Sequence, residues 1–192
     1  SNNIIYNNSD YGIRLNGASN TTIYSNEIYE NQDQNIYLQI GSSDNLIKNN
    51  MIHNSDTDQG IRIVNTDSMN NHIINNTIYE NNNGGIWAGS WGSHVGPGNI
   101  ISNNTIANHT NNRAIFVEMN NSVISGNIIY NSKNAGIYVY YDSYNMSIYD
   151  NIVYDNPHVG IYVVRIYDSN ISNNFVYNNV QQGLYVRETN NS

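Results

Sequence analysis

The segment Gly136-Ile137-Tyr138-Val139 decides the fold of this chain, because close variants of it recur along the whole sequence. The complete copies begin at Gly12, Gly60, Gly85, Gly136, Gly160 and Gly183. Weaker copies begin at Asn35 and Ala114, so eight copies follow one another at intervals of 22 to 29 residues. A period of this length is typical of a repeat array in which each unit packs on its neighbours.

A second column of residues keeps the same period. It consists of Asn3, Asn26, Asn50, Asn76, Asn104, Asn127, Asn151 and Asn174. An aliphatic residue lies two positions after each Asn, as at Ile106, and another lies three positions before most of them, as at Ile101. Within Gly-Ile-Tyr-Val the two aliphatic side chains share one face of a strand and Tyr faces the other way. Each repeat therefore contains three short strands.

Three short strands per repeat predict an all-β solenoid. Runs of three to five residues with almost no Asn-Gly turns do not fit a meander of hairpins. Coils that stack with parallel strands about 4.8 Å apart form a parallel β-helix. The variable period favours the right-handed form over the evenly spaced left-handed type. We predict about eight coils in one domain over residues 1–192, as a segment of a longer chain.

Asn is abundant because the coil uses it twice. The chain contains 42 Asn. Asn tolerates the left-handed backbone of sharp corners, and stacked Asn amides can hydrogen-bond from one coil to the next. These contacts exist only between coils, so a single coil is not expected to fold alone.

The composition excludes several classes of function. The net charge is -8 with only seven Lys plus Arg, so no basic stripe is available for nucleic acid. No run of about twenty apolar residues predicts a membrane span in this segment. The absence of Cys excludes disulfides and thiolate metal sites.

The repeat resembles a known family. The segment Ile100-Ile101-Ser102-Asn103-Asn104-Thr105-Ile106, followed by Gly-Ile-Xaa-Val/Leu, is similar to the NosD-like parallel β-helix repeats of the carbohydrate-binding and sugar-hydrolase superfamily. The resemblance implies an extracellular or cell-surface location and work near glycans, and it is shared by archaeal and bacterial surface proteins. Lyases, epimerases and hydrolases of polysaccharides also belong to that group, so the resemblance does not choose a reaction.

The outward position of the Gly-Ile-Xaa-Val strand forms the most function-like column. It runs Arg14, Tyr37, Arg62, Trp87, Phe116, Tyr138, Tyr162 and Tyr185. A second aromatic column follows the Asn series, with Tyr6, Tyr29, His53, Tyr79, Ala107, Tyr130, Tyr154 and Tyr177. Exposed aromatic stripes usually bind a partner, and these could stack on sugar rings. The alternative is that the rings only stabilise neighbouring strands.

The longest repeat contains a Gly-rich insertion from Gly89 to Gly98, and insertions in solenoids tend to form binding loops. If the chain binds a glycan, we expect the contacts to come from the insertion and its surroundings. These candidates are Trp87, Trp91, His94, Arg62, Arg113 and Glu118. In the alternative interpretation Trp91 folds back as a lid over the sheet.

Acidic residues suggest a metal site at one end of the rod. Asp10, Asp33 and Asp58 precede successive Gly-Ile strands or their equivalents, and Asp56 lies close by. Stacked carboxylates repel unless a cation lies between them, so Ca²⁺ is the cofactor hypothesis. Solvated acids at a turn are the alternative. The five His show no ligand spacing that would support another metal.

Three sequons outside the Asn column are the candidate glycosylation sites. They are Asn20, Asn108 and Asn145.

The sequence favours a non-catalytic structural or adhesive rod at the cell surface, such as a component of an S-layer, sheath or filament. Its expected partners are further copies of itself, other surface proteins or a polysaccharide. The alternatives are a carbohydrate-binding module and a Ca²⁺-assisted polysaccharide lyase or epimerase. Asp155-Asn156-Pro157-His158 is faintly similar to the Asp-Pro-His motif of alginate epimerases, but the intervening Asn breaks the match and His158 is expected in a turn.

Overall fold

The computed structural model describes residues 1–90 and 92–188 of the chain, and within them the secondary structure consists of short strands, β1 to β25 in chain order. Sheet A contains β1 (Ile4–Tyr6), β4 (Glu27–Tyr29), β7 (Met51–His53), β10 (Thr77–Tyr79), β13 (Thr105–Ala107), β16 (Ile128–Tyr130), β20 (Ile152–Tyr154) and β24 (Phe175–Tyr177). Sheet B contains β2 (Ile13–Asn16), β5 (Ile36–Gln39), β8 (Ile61–Ile63), β11 (Ile86–Ala88), β14 (Ile115–Val117), β17 (Ile137–Val139), β21 (Ile161–Val164) and β25 (Leu184–Arg187). Sheet C contains β3 (Thr22–Tyr24), β6 (Leu46–Lys48), β9 (His72–Ile74), β12 (Ile100–Ser102), β15 (Val123–Ser125), β19 (Ser147–Tyr149) and β23 (Asn170–Ser172). A small fourth sheet pairs β18 (Ser143–Tyr144) with β22 (Ile166–Tyr167).

The chain passes through sheets A, B and C once per coil, and each strand pairs in parallel with its counterpart in the next coil. The register keeps equivalent residues opposite each other, as in Ile78 opposite Ile106 and Ile106 opposite Ile129. This arrangement confirms the predicted parallel solenoid of about eight coils with three strands each. None of the described segments forms a helix that is long and apolar enough to cross a membrane.

The core is built from the predicted aliphatic columns. Ile78 and Ile106 of sheet A, Ile61 of sheet B and Ile73 and Ile101 of sheet C are between 0% and 1% exposed. The interior is one continuous cluster from Leu15 to Ile166 rather than a set of separate cores. In the central coils a buried Ile such as Ile106 lies between its counterparts in the coils on either side, so packing in one coil depends on the adjacent coils.

The predicted Asn column forms an uninterrupted hydrogen-bonded ladder from Asn3 to Asn174. Each amide Nδ2 donates to the Oδ1 of the next Asn at 2.9 to 3.0 Å. The backbone N–H of each Asn donates to the same oxygen, as from Asn76 to Asn104 at 2.9 Å. Burial of these amides is tolerated because their polar atoms have partners.

Asn also occupies the corners with left-handed backbone. The residue before each ladder Asn has a positive φ, as at Asn75 (57°) and Asn103 (54°). Gly126 takes the same position in a later coil with a φ of 63°. Asn is the residue other than Gly that adopts this region most readily, which explains its use at these corners.

The repeated motif requires Gly for a different reason. Gly12, Gly85 and Gly160 do not have left-handed φ values, but the next coil approaches them closely. A Cβ at Gly85 would lie 2.6 Å from the carbonyl oxygen of Ala114. The motif therefore uses Gly because the backbones of successive coils lie close together at this position.

Candidate functional site

The outer face of sheet B carries the first predicted column in continuous register. Arg14 pairs with Tyr37 in the first two coils, and Tyr162 pairs with Tyr185 in the last two. Between them Arg62 lies opposite Trp87, which lies opposite Phe116. The predicted order of the column is confirmed.

The centre of this column is buried, so the prediction of one exposed aromatic stripe is wrong there. Trp87 is 6% exposed, Phe116 1% and Tyr138 8%. Trp87 and Phe116 are in contact, with their ring centroids 4.2 Å apart, and Phe116 meets Tyr138 edge to face at 5.6 Å. Ala135, Val159 and Val164 complete a second apolar cluster on the outside of the sheet. The strand pattern predicted which way these rings point, but not that the side chains of the neighbouring coils would bury them.

The segment of residues 89–98, which we call the 89–98 loop, is bound by Glu118 at Ser90 and Gly92. Glu118 is 0% exposed and follows β14. Its two carboxylate oxygens accept the backbone N–H groups of Ser90 at 2.9 Å and Gly92 at 2.7 Å. Glu118 was a predicted binding residue, and the structure shows its buried side chain holding the loop.

His94, in the middle of the loop, meets the turn after β17. His94 Nε2 lies 3.1 Å from the carbonyl oxygen of Asp142, and the His94 ring lies 6.4 Å from Tyr141. Trp91, which was predicted to bind a glycan or to act as a lid, lies outside the described residues. The loop thus bridges the ends of β11 and β17 across the middle of sheet B.

A cleft of about 400 Å³ lies on the N-terminal side of the covered region, and we call it the N-terminal cleft. It is lined by Tyr37, Arg62, Val64, Asn65, Thr66, Ser90 and Ser93. Arg62 Nη1 lies 3.6 Å from Asp58 Oδ2, and Gln34 also donates to Asp58. Burial raises the pKa of the Asp58 carboxyl, and the neighbouring Arg62 charge opposes this shift. The Arg62 Nε is buried and has no hydrogen-bond partner among the described residues.

A second cleft of about 290 Å³ lies on the C-terminal side, and we call it the C-terminal cleft. It is lined by Tyr138, Tyr140, Tyr162, Val164, Arg165, Arg187 and Glu188. The rings of Tyr138 and Tyr162 stack at 4.8 Å, and the Arg113 guanidinium lies 4.5 Å from the centre of the Tyr138 ring. Burial raises the pKa of Tyr138 to about 12, so its hydroxyl remains a hydrogen-bond donor at neutral pH.

Arg165 and its partners were not identified from the sequence. Its Nε donates to Asp142 Oδ1 at 2.9 Å, and its Nη2 donates to the other carboxylate oxygen. Tyr167 also donates to Asp142 at 3.2 Å. The additional pair β18 and β22, which brings these residues together, interrupts the three-strand pattern, and that interruption was the available signal.

The Arg residues are concentrated on one side of the rod. All five Arg belong to sheet B strands or lie within two residues of one: Arg14, Arg62, Arg113, Arg165 and Arg187. The two Lys lie elsewhere, Lys48 in sheet C and Lys133 in a turn. Several of these Arg have acidic partners, but a guanidinium has five N–H donors and a single carboxylate does not use them all.

The predicted Ca²⁺ residues do not converge. Asp10 and Asp56 are exposed, Asp33 and Asp58 are half-buried, and Asp58 interacts with Arg62. Among the described residues, no group of three or more His, Cys, Asp or Glu side chains could hold a metal ion. We therefore assign no step to Ca²⁺.

The three predicted glycosylation residues are all exposed at corners. Asn20, Asn108 and Asn145 have φ values of 56°, 59° and 52°. Asn145 Nδ2 donates to Asn121 Oδ1 at 2.8 Å, whereas Asn20 and Asn108 stand at corners of other coils. The exposure of these sequons is compatible with modification, which stays a prediction.

Comparison with known proteins identifies relatives of the fold. The family model described as the right handed beta helix region matches residues 1–99 and again 94–192. No curated protein sequence matches the chain at a significant level.

Solved structures with the same fold include two enzymes named for alginate and one named for mannuronan. The periplasmic alginate epimerase AlgG is 19% identical with a TM-score of 0.72, covering 94% of this chain and 47% of its own. The mannuronan C-5 epimerase AlgE4 A-module of Azotobacter vinelandii is 17% identical with a TM-score of 0.65, covering 94% and 58%. The alginate lyase of Paenibacillus sp. str. FPU-7 is 18% identical with a TM-score of 0.65, covering 96% and 73%. This chain thus spans about half the length of AlgG, and the likeness concerns the fold.

Proposed function

This chain belongs to the right-handed β-helix family, and on that premise we propose that it is a non-catalytic extracellular rod that binds an acidic polysaccharide on the outer face of sheet B. The polysaccharide would contact the N-terminal and C-terminal clefts on either side of the covered region. The rod would act as an adhesive or structural element at the cell surface, as the sequence predicts.

The placement of the Arg residues carries this proposal. A chain with a net charge of -8 repels an acidic polymer at long range unless its cations are gathered on one face. Here all five Arg lie on or beside sheet B, and both clefts contain Arg together with Tyr. Guanidinium groups hydrogen-bond carboxylates in a planar, two-point geometry, and Tyr rings supply apolar surface for the faces of sugars.

The spacing of the two clefts favours a polymer over a single sugar. Arg62 of the N-terminal cleft and Tyr162 of the C-terminal cleft are four strands apart in sheet B, which corresponds to roughly 19 Å at about 4.8 Å per strand. A monosaccharide can occupy only one cleft. The named alginate enzymes act on an acidic polysaccharide, which is compatible with the same class of ligand for this chain.

The test compares charge removal on two faces. The variant R62Q/R187Q removes one guanidinium from each cleft, and its matched control K48Q/K133Q removes the same charge from other surfaces. Binding of polymannuronate should weaken at least about tenfold in R62Q/R187Q and stay within about twofold in the control, since hydrogen bonds to charged groups contribute about 1.5 kcal/mol or more. Equal effects in both variants would contradict the proposal.

A lyase or epimerase activity is the second candidate, favoured by one observation. The N-terminal cleft combines Tyr37 and Arg62, and Arg62 contacts the Asp58 carboxyl, whose pKa is raised by burial. A group with such a shifted pKa beside a cation is typical of proton transfer sites. Incubation with polymannuronate and polygalacturonate should then release unsaturated ends that absorb in the ultraviolet or change the epimer ratio. If neither unsaturated ends nor a changed epimer ratio appears over days, binding alone is left as the function.

A further inference from the structure

The second aromatic column lies on the outer face of sheet A and places Tyr directly on Tyr. Within residues 1–90 and 92–188 the stacked pairs of this column are Tyr6 with Tyr29, Tyr130 with Tyr154, and Tyr154 with Tyr177, with ring centroids 5.0, 5.1 and 5.0 Å apart. The rings of Tyr6 and Tyr29 deviate from parallel by 3°, and those of Tyr154 and Tyr177 by 1°. Each of these pairs holds two phenols in contact in a defined orientation.

The strand register aligns equivalent atoms of the paired rings. Tyr6 lies opposite Tyr29 in the parallel pair β1 and β4, and Tyr154 lies opposite Tyr177 in β20 and β24. Because the rings of each pair are parallel and start from aligned backbones, the Cε carbon beside each hydroxyl lies about as far from its equivalent as the ring centres do, near 5.0 Å. The χ2 torsion of Tyr is soft, so rotation of the rings can bring two such carbons together.

The outer edges of these rings are accessible. Tyr6 is 52% exposed and Tyr177 is 36% exposed, while Tyr29 and Tyr154 are half-buried. The stacked rings of sheet B differ, since Tyr138 is 8% exposed and packs against the Arg113 guanidinium. A reagent in solution can therefore reach the sheet A pairs.

The charges near sheet A favour removal of an electron from these phenols. None of the seven Lys and Arg belongs to a strand of sheet A, whereas Glu30 follows Tyr29 directly and Asp155 follows Tyr154. Desolvation, the stacked Tyr neighbours and the adjacent carboxylates raise the pKa of Tyr29 and of Tyr154, so both phenols hold their proton at neutral pH. A nearby negative charge stabilises the positive charge that a departing electron leaves behind.

We propose that Tyr6 with Tyr29 and Tyr154 with Tyr177 are sites of oxidative coupling to dityrosine, which joins neighbouring coils covalently. The co-reactant is hydrogen peroxide acting through a one-electron oxidant such as a haem peroxidase. Each phenol loses one electron and one proton, and the two tyrosyl radicals form a bond between their Cε carbons. Each bonded Cε then releases its hydrogen as a proton while the oxygen of the same ring takes one up, so the linked pair has lost two hydrogen atoms. One H₂O₂ accepts the two electrons and two protons and becomes two water molecules.

The crosslinks would hold the outermost strands of sheet A. β1 and β24 stand at the two ends of its strand order, and each would be tied to its inner neighbour. The chain has no Cys, so disulfides cannot supply this link. A crosslink between coils restricts the unfolded chain as a disulfide does. The sites lie on sheet A and are independent of the clefts on sheet B.

Two tyrosines outside the Tyr pairs provide matched controls. Tyr24 is 40% exposed, which is close to the exposure of Tyr177, but it lies opposite Lys48 in sheet C. Tyr79 belongs to the same column as the pairs, but it stacks on His53 and lies opposite Ala107. If stacking on a second Tyr decides the coupling, neither Tyr24 nor Tyr79 should react within one molecule.

The test oxidises the purified protein with a haem peroxidase and H₂O₂. The monomer is then digested, and mass spectrometry identifies peptide pairs that have lost two hydrogen atoms. We expect links of Tyr6 to Tyr29 and of Tyr154 to Tyr177, and none at Tyr24 or Tyr79. Tyr6→Phe and Tyr177→Phe should each lose their own link, whereas Tyr24→Phe should keep both. His53→Tyr should bring Tyr79 into a link, because it supplies the Tyr neighbour that Tyr79 lacks.

Hydrogen exchange of the oxidised monomer gives a second readout. Amides of β1 and β24 should exchange more slowly after oxidation of the unchanged protein, but not after the same treatment of Tyr6→Phe/Tyr177→Phe. An oxidised monomer without the two links would overturn the proposal, as would links at Tyr24 as frequent as those at Tyr154. Equal exchange rates before and after coupling would contradict the covalent joining of the end strands.

Discussion

At the scale of single residues, the ladder Asn side chains contribute more than their polarity suggests. Asn104 is 1% exposed, accepts from the backbone and amide N–H groups of Asn76, and donates to Asn127 Oδ1 and Ile73 O. Loss of one such amide leaves buried donors and acceptors without partners on both sides.

The ladder predicts a large and position-specific cost. Asn104→Ala should lower the free energy of unfolding by about 3 kcal/mol or more, because several buried polar groups lose their partners at once. The control Asn111→Ala changes an exposed Asn and should cost no more than about 0.5 kcal/mol. Urea unfolding followed by circular dichroism measures both values, and equal costs would contradict the role of the ladder.

His109 occupies the position that Asn81 occupies in the preceding coil. It is 2% exposed, its Nδ1 lies 3.3 Å from the backbone nitrogen of Asn81, and its Nε2 has no partner among the described residues. Burial lowers the pKa of His109 from 6.5 to about 4, because the charged imidazolium is poorly solvated there. The folded protein therefore keeps this ring neutral at mildly acidic pH.

The lowered pKa predicts acid sensitivity with a definite sign. Between about pH 6.5 and pH 4 the unfolded chain binds a proton at His109 and the folded chain does not. The free energy of unfolding therefore falls as the pH falls through this range. Below pH 4 both states bind the proton, so this cause lowers the free energy of unfolding no further. The contribution is at most roughly 3 kcal/mol. Urea unfolding at pH 7 and pH 4.5 should show a smaller loss for His109→Asn than for the unchanged chain. His72→Asn, at a half-buried position in sheet C, should keep the full loss.

At the scale of elements, Glu118 fixes the 89–98 loop beside the buried centre of the sheet B column. Glu118 accepts two backbone N–H groups of the loop, and Gly89 passes so close that a Cβ there would lie 2.9 Å from the Glu118 side chain. Trp87 and Phe116 are buried in the region that separates the two clefts. The loop borders this region on the side of the N-terminal cleft, whose lining includes Ser90 and Ser93.

Removal of the Glu118 carboxylate should loosen the loop without unfolding the coil. In a Trp91→Phe background, where Trp87 is the remaining Trp, Glu118→Ala should increase acrylamide quenching of Trp fluorescence at least about twofold. The reason is that two loop N–H groups lose a charged acceptor, which contributes about 1.5 to 3 kcal/mol per bond. Asp10→Ala removes an exposed carboxylate and should leave the quenching unchanged. Unchanged quenching in Glu118→Ala would show that other contacts hold the loop.

At the scale of the whole molecule, stability is shared between adjacent coils. A central strand such as β14 pairs on both sides, with β11 and β17. Within residues 1–90 and 92–188, β25 has β21 as its one partner, and its residues are exposed throughout. Since no coil has a core of its own, opening should begin at the ends and proceed inward.

Hydrogen exchange should therefore follow the position along the rod. Amides of β11, β14 and β17 should exchange slowest, and those of β25 fastest, with intermediate rates in β5 and β21. Mass spectrometry of peptides after native-state exchange resolves this order. The same protection in every coil would indicate global unfolding as the only opening reaction and would contradict the model of shared stability.

Much of the fold was predictable because the same residue types recur at short, regular intervals along the sequence. The Ile columns, the Asn ladder and the aromatic columns all lie where the spacing places them, as Ile106, Asn104 and Tyr130 illustrate. The candidate site was predicted less well. Arg62 and Tyr162 do lie at clefts, but Trp87, Phe116 and Tyr138 are buried, and Arg165 and Tyr140 were missed.

The sequence by itself determined the coil, its three sheets and the direction in which each strand residue points, because these follow from a repeat that every neighbouring coil shares. Only the tertiary structure decided which outward residues remain accessible. The outward rings of the middle coils pack into an apolar cluster, and the loop beside them is held by contacts that break the repeat, Glu118 with the 89–98 loop and His94 with the turn at Asp142. Contacts of that kind join residues that have no equivalent in the other coils, so no periodic pattern predicts them.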